Sequence, residues 1–133
     1  MARLGIDVLF KGTNFLRLLG GLWVALRISL ISVGISLVAG LLAGVLMTSK
    51  SRVLRAFFRV WLEIVRIVPQ MVLLFAVYFG TTRIFGWNLD AELSAIFVFS
   101  FWGAAEMGDL VRGAVVSIPR LQRESALALG LTK

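Results

Sequence analysis

Long apolar runs separated by short charged segments dominate the hydropathy pattern of this chain. The clearest run, from Ile28 to Met47, has roughly 20 residues without a charge, the length that an α-helix needs to cross a bilayer core. The pattern predicts spans at about 22–47, 67–85 and 94–118. We therefore expect an all-α integral membrane protein with about three transmembrane helices.

The segment before the first run is more mixed. Its apolar residues are interrupted by Arg3, Asp7 and Lys11, so it lacks the continuous apolar core of a secretory signal peptide. We expect residues 1–21 to form an N-terminal interfacial segment and residues 22–133 to form the membrane domain.

A charged segment links the first two spans. Its charges recur every three or four residues, which places them on one face of a helix opposite aromatic and aliphatic side chains; they are Arg52, Arg55, Arg59, Glu63 and Arg66. The spacing predicts an amphipathic helix at the level of the lipid headgroups, with a charged face that is solvated or contacts anionic lipid. It also predicts that Glu63 pairs with Arg59 or Arg66.

Small side chains recur every fourth residue within the first span. Positions four apart share one helix face, and small residues on that face let a second helix backbone approach closely. We expect this face to be a helix-packing surface, formed by Ser32, Ser36, Gly40 and Gly44.

Composition supports the membrane interpretation and excludes several others. The chain is 59% hydrophobic, its mean hydropathy is +0.95 and its net charge is +7. The basic residues lie beside apolar spans rather than on a stacking surface, which argues against a nucleic-acid binder. There is no cysteine or histidine, which argues against disulfides and against zinc or haem. No Gly-rich phosphate loop is present, so we expect no ATP site and no cofactor in this chain.

The distribution of lysine and arginine predicts the orientation. The first link carries five basic residues from Lys50 to Arg66, and the tail carries three, whereas the loop after the second span has only Arg83 beside two acids. By the positive-inside rule the link and the C-terminal loop are cytoplasmic and the N-terminus is outside, which three crossings allow.

Three ionisable residues fall inside the third span. Glu106, Asp109 and Arg112 are spaced three apart and share one side of a helix, where exposure to lipid would cost roughly 2.5–3.5 kcal/mol each. They are therefore expected to face protein or a wet cavity, with Asp109 and Arg112 placed to pair. Two interpretations stay open: an ion pair that fixes helix packing, or the lining of a polar pathway.

An intramembrane enzyme is a weaker interpretation of the same residues. Glu106 and Asp109 lie one turn apart and have the chemistry of an acid/base pair. No nucleophile or metal-ligand set accompanies them, so we do not expect an enzyme.

A short amphipathic segment follows the third span. Pro119 cannot continue a hydrogen-bond ladder, so the span should stop just before it. Good helix formers from Leu121 to Leu129 predict a short helix, and Gly130 suits a left-handed cap. The small residues of this helix would let a soluble partner close tightly over it.

This segment resembles a known motif. Glu124-Ser125-Ala126-Leu127-Ala128-Leu129-Gly130 is similar to the Glu-Ala-Ala-x-x-x-Gly loop of ABC importer permeases, with Ser125 in place of the first alanine. Further stretches match in the same order along the chain, and they include Gly21-Leu22-Trp23, Arg66-x-x-Pro69-Gln70, Arg112-Gly113-Ala114 and Ser117-Ile118-Pro119. Together they resemble the polar amino-acid branch of binding-protein-dependent permeases.

The resemblance implies a subunit of an ATP-driven importer for polar amino acids, of the glutamate or glutamine type or similar, in the bacterial plasma membrane. It implies a second permease subunit, identical or different, two cytosolic ATPase subunits that bind ATP, and an extracytoplasmic amino-acid-binding protein. In the family the loop is the coupling helix that sits in a cleft of the ATPase. That role would fall here to Glu124, Ser125, Ala126 and Gly130.

The resemblance also bears on the third span. Trp102, Glu106, Asp109 and Arg112 match the stretch that approaches the transport cavity in the family. The family has about five spans, whereas this sequence ends at Lys133, soon after the coupling loop of residues 119–133. We therefore expect an incomplete type I ABC permease fold, truncated at the C-terminus. The alternative function is a non-transporting remnant that only interacts with or modulates a full-length permease.

Overall fold

The computed structural model describes residues 12–131, which form five α-helices and no strand. The predicted all-α fold is therefore confirmed for this part of the chain. In chain order the helices are α1 (Asn14–Met47), α2 (Arg52–Ile67), α3 (Gln70–Phe85), α4 (Ala91–Val116) and α5 (Arg120–Ala128).

Two of these helices are long and apolar enough to cross a membrane. They are α1 and α4, while α2 and α3 meet at a bend of 97° and together count as a third candidate span. The described residues thus contain two spans, or three if the bent pair is one span, which agrees with the expectation of about three.

Helices α1 and α4 run side by side in the same direction. Arg27 of α1 forms an ion pair with Glu92 in the first turn of α4, and further along Ser36 Oγ donates a hydrogen bond to the carbonyl oxygen of Ser100 at 3.3 Å. Since the two helices are parallel, the chain between them must return across the same thickness. Helix α3, roughly 24 Å long at 1.5 Å per residue, provides the main part of that return.

The contact between α1 and α4 depends on small residues. A Cβ built on Gly40 would lie 2.5 Å from Met107 Cβ, and one built on Gly44 would lie 2.5 Å from Val111 Cβ and 2.8 Å from the backbone oxygen of Gly108. The strip singled out in the sequence is buried against α4 at all four positions, Ser32, Ser36, Gly40 and Gly44. The two backbones therefore approach closely along this face.

The bend between α2 and α3 follows from one residue. Pro69 has no backbone N–H and restricts the residue before it, so Val68 adopts an extended conformation with φ −78° and ψ 120°. Helix α2 accordingly ends at Ile67, and α3 starts at Gln70 in a new direction. At its other end α2 is capped by the side chain of Ser51, which accepts a hydrogen bond from Leu54 N at 3.4 Å.

The helix boundaries differ from the prediction mainly at the start. Helix α1 begins at Asn14 instead of near residue 22, so the end of the expected interfacial segment is part of the first long helix. Gly20 and Gly21 do not break it, because glycine lowers helix propensity by only about 1 kcal/mol while the flanking residues favour the helix. The rest of that expectation, residues 1–11, lies outside the described residues.

Candidate functional site

Arg66, at the end of α2, joins two carboxylates in the second half of α4. Its Nε donates to Glu106 Oε1 at 2.9 Å, and its Nη2 donates to Glu106 Oε2 at 3.1 Å and to Asp109 Oδ2 at 2.9 Å. Bidentate guanidinium–carboxylate pairs of this kind are among the stronger polar contacts in proteins. The bend at Pro69 places the end of α2 against α4 and makes this contact possible.

The other oxygen of Asp109 is held from within α4. Arg112 Nε and Nη2 donate to Asp109 Oδ1 at 3.0 and 2.8 Å, which confirms the predicted pairing three residues apart. Asp109 is therefore bonded by two guanidinium groups, and two arginines balance two carboxylates. We call this set of four residues, Arg66, Glu106, Asp109 and Arg112, the charge network.

The predicted partner of Glu63 is wrong. Arg66 turns to Glu106 and Asp109, because two carboxylates of α4 outcompete a single carboxylate on its own helix. Among the described residues Glu63 forms no ion pair with Arg59 either, although the two are spaced one turn apart. A prediction restricted to one helix could not account for the neighbouring helix.

The charge network is partly accessible. The side chains of Glu106 and Asp109 keep 31% and 22% of their maximal exposure, and those of Arg66 and Arg112 keep 45% and 43%. Since α4 is long and apolar enough to span a membrane, these groups occupy the second half of a candidate span. Pairing offsets part of the cost that separate charges would carry there.

A cavity of about 580 Å³ adjoins the network. Asp109 and Arg112 of α4 and Arg66 of α2 form part of its wall. Its remaining wall is formed by Met47, Thr48, Arg55, Arg59, Leu62, Glu63, Ile67 and Val116. The arrangement gives a space with a mixed polar and apolar wall next to paired charges, which can hold water or a polar solute.

Trp102 stands apart from the network. It lies one turn before Glu106 on α4 and is half-buried, but it does not line this cavity. The structure therefore brings together three of the four residues that the sequence associated with a pathway, and adds Arg66 as the residue that links them.

The sequence also left the partner of the small strip unidentified. On α4 the residues that face α1 are again small and four apart, namely Ser100, Ala104 and Gly108, all buried. Their spacing predicts a second packing face, because small residues four apart share one side of a helix.

The short helix α5 ends in the cap that was predicted. Gly130 has φ +78°, its N–H donates to the oxygen of Leu127 at 3.0 Å, and Leu131 N donates to the oxygen of Ala126 at 3.0 Å. This pair of bonds is the Schellman motif, and it confirms Gly130 as a left-handed cap. Glu124 and Ser125 are exposed and Ala126 is half-buried, so the segment presents a largely free surface.

Metal ligation is not suggested by the geometry. Within residues 12–131 no group of three or more histidine, cysteine, aspartate or glutamate side chains is placed to hold an ion. Both acids of the charge network are already bonded to arginine.

The sequence matches a known family of membrane proteins. The family model described as the inner membrane component of binding-protein-dependent transport systems matches residues 36–133. Because this covers more than half of the chain, the protein belongs to that family.

Individual relatives agree with this assignment. The chain is 30% identical over 117 residues to the glutamate transport system permease protein GluD of Corynebacterium glutamicum, covering 86% of this chain and 43% of the relative. It is 33% identical over 119 residues to the probable amino-acid ABC transporter permease protein YckA of Bacillus subtilis, covering 90% and 52%. The chain thus spans about half the length of these relatives.

A solved structure shares the fold. The crystal structure of an amino acid ABC transporter with histidines superposes with a TM-score of 0.73 over 92% of this chain and 60% of that chain, at 21% identity. The likeness supports the expected permease-type arrangement of helices.

Proposed function

We propose that this chain is a membrane-spanning subunit of an ATP-driven importer for polar amino acids and forms part of its translocation pathway. The observation that carries the proposal is the charge network, because paired arginines and carboxylates inside a candidate span are typical of solute pathways. The choice of solute rests on the relatives, two of which are named as glutamate and amino-acid permeases. In this proposal the chain does no chemistry of its own.

The proposed assembly contains this chain, a second permease subunit that is identical or different, a binding protein and an ATPase. This chain pairs with a second permease subunit, receives its solute from an extracytoplasmic amino-acid-binding protein, and is driven by an ATPase that holds the ATP. The chain lies in the plasma membrane with its N-terminus outside and α5 in the cytoplasm, as the positive charges between α1 and α3 favour.

The residues have distinct roles in this proposal. Trp102, Glu106, Asp109 and Arg112 border the pathway, and the strip from Ser32 to Gly44 holds α1 against α4. The exposed surface of α5, with Glu124, Ser125 and Ala126 and the cap at Gly130, docks in the ATPase. Its exposure supports docking, since a coupling helix must be free to enter a cleft of its partner.

Two substitutions on α5 test the docking role. Gly130→Arg strains a backbone with positive φ and adds bulk, and Glu124→Lys reverses an exposed charge. We expect each variant to lose about tenfold or more of its association with the ATPase, measured by co-purification from membranes, because each change acts on the contact surface. Gln122→Lys, which adds one positive charge at another exposed site on α5 as Gly130→Arg does, is the matched control.

The outcome distinguishes docking from general damage. Normal co-purification of the ATPase with both Gly130→Arg and Glu124→Lys would refute the role of α5. Equal losses in all three variants would show that any added charge on this helix is harmful.

Uptake of a labelled amino acid tests the transport proposal itself. Vesicles would hold the chain, the ATPase and the binding protein, without another permease, and glutamate and glutamine would be compared. ATP-dependent accumulation that Asp109→Asn reduces would support a pathway through the charge network. An assembled complex that accumulates neither amino acid would favour the alternative function, modulation of a full-length permease.

A further inference from the structure

The cavity beside the charge network has two arginines that the network does not use. Arg55 and Arg59 lie one turn apart on α2, both are exposed, and both line the cavity. Neither forms an ion pair with any residue in the described range 12–131, whereas Arg66 and Arg112 are bonded to Glu106 and Asp109. Two like charges one turn apart repel each other unless an anion lies between them.

The acids that face these arginines neutralise them only in part. Glu63 and Asp109 are the only carboxylates among the cavity residues. Both oxygens of Asp109 already accept bonds from arginine, so Glu63 is the one carboxylate left in the cavity wall for two free guanidinium groups. The cavity therefore keeps an excess positive charge on the side of α2.

The position of the cavity specifies the kind of anion. Met47 and Thr48 stand at the end of α1, and Val116 is the last residue of α4, so both candidate spans end in its wall. A point where parallel spans end on the same side lies at the boundary between hydrocarbon and headgroups. The wall combines these arginines with apolar side chains such as Leu62 and Ile67.

We propose that the cavity binds one anionic phospholipid, such as phosphatidylglycerol. Arg55 and Arg59 hold the phosphate of the headgroup, and the apolar wall contacts the glycerol and the upper part of an acyl chain. Guanidinium groups recognise phosphate oxygens by charge and by hydrogen bonds, and the amphipathic α2 keeps them at headgroup depth. The bound lipid would contact α2 and the ends of α1 and α4 at the same time and so bridge the three helices.

Lipid binding by the full chain in vesicles tests this proposal. The chain would be reconstituted in phosphatidylcholine with and without phosphatidylglycerol, and bound lipid would be counted by native mass spectrometry. We expect one phosphatidylglycerol to be retained in preference to phosphatidylcholine. In R55Q/R59Q the association constant should fall about 30-fold, because each basic residue near an anionic surface strengthens binding roughly five-fold and the two factors multiply.

A charge-matched control separates a site from general attraction. K50Q/R52Q removes two positive charges from the same segment, and both residues are exposed and outside the cavity wall. We expect K50Q/R52Q to retain the single bound lipid with at least about five times the affinity of R55Q/R59Q. Equal losses in the two double variants would overturn the proposal, since they would mean that only surface charge matters.

Two further results would assign the cavity to another occupant. If inorganic phosphate saturated the chain in a neutral detergent and displaced phosphatidylglycerol, the occupant would be a soluble anion and the proposal would be wrong. If R55Q/R59Q kept the lipid but lost the ATPase in co-purification, these arginines would belong to a protein contact. Because the lipid count requires no transport, its failure is distinct from a failure of the proposed import function.

Discussion

Replacing Gly44 by alanine should lower the free energy of unfolding by about 2 kcal/mol, because the contact between α1 and α4 has no room for a methyl group. The new Cβ would lie 2.5 Å from Val111 Cβ and 2.8 Å from the backbone oxygen of Gly108. Neither atom can rotate away, because Val111 Cβ is bonded directly to the backbone and the oxygen of Gly108 is part of it, so relief requires the whole helix to move. The measurement is unfolding by titration with a denaturing detergent, followed by circular dichroism.

The same helix supplies the control for this change. Gly34 is exposed on α1, and a Cβ built there meets no heavy atom within 4 Å. Gly34→Ala should therefore leave stability unchanged or raise it by about 0.5–1 kcal/mol, since alanine favours a helix more than glycine does. If Gly44→Ala were as stable as Gly34→Ala, the close approach of the two helices would be wrong.

The contact at Gly44 also shows which part of the helix packing can be predicted from the sequence. A small residue at every fourth position of the first span predicts a packing face, because the period of a helix is known in advance. The sequence does not state which helix covers that face. Ser100, Ala104 and Gly108 form the complementary strip, but their partner follows only from the parallel arrangement of α1 and α4.

The charge network was predictable only in part, because a sequence pattern describes contacts within one helix and not contacts between helices. The bond between Asp109 and Arg112 is local, three residues apart on one helix, and the spacing alone predicts it. The bonds from Arg66 join residues about forty positions apart. They depend on the 97° bend that Pro69 imposes, and a sequence pattern indicates that a break exists without giving its angle.

Replacing Arg66 by glutamate should have the largest effect of any single charge reversal in the charge network. The change would place three carboxylates together, at positions 66, 106 and 109, with Arg112 as the one remaining cation of the network. Acids without partners in a span must attract water or protons, or push α2 away from α4. We expect the thermal midpoint in detergent to fall by about 10 °C or more.

Two further variants show whether that loss comes from the pairing. Arg83→Glu reverses the same charge at an exposed end of α3, where no ion pair within residues 12–131 involves it, and should shift the midpoint by only about 1–2 °C. Arg66→Glu combined with Glu106→Arg restores one opposite pair and should recover part of the loss. A double variant no better than Arg66→Glu alone would show that position 66 matters through its packing. If the exchange does restore stability, α2 is held to α4 by charge, and any motion that separates the two helices must break those bonds.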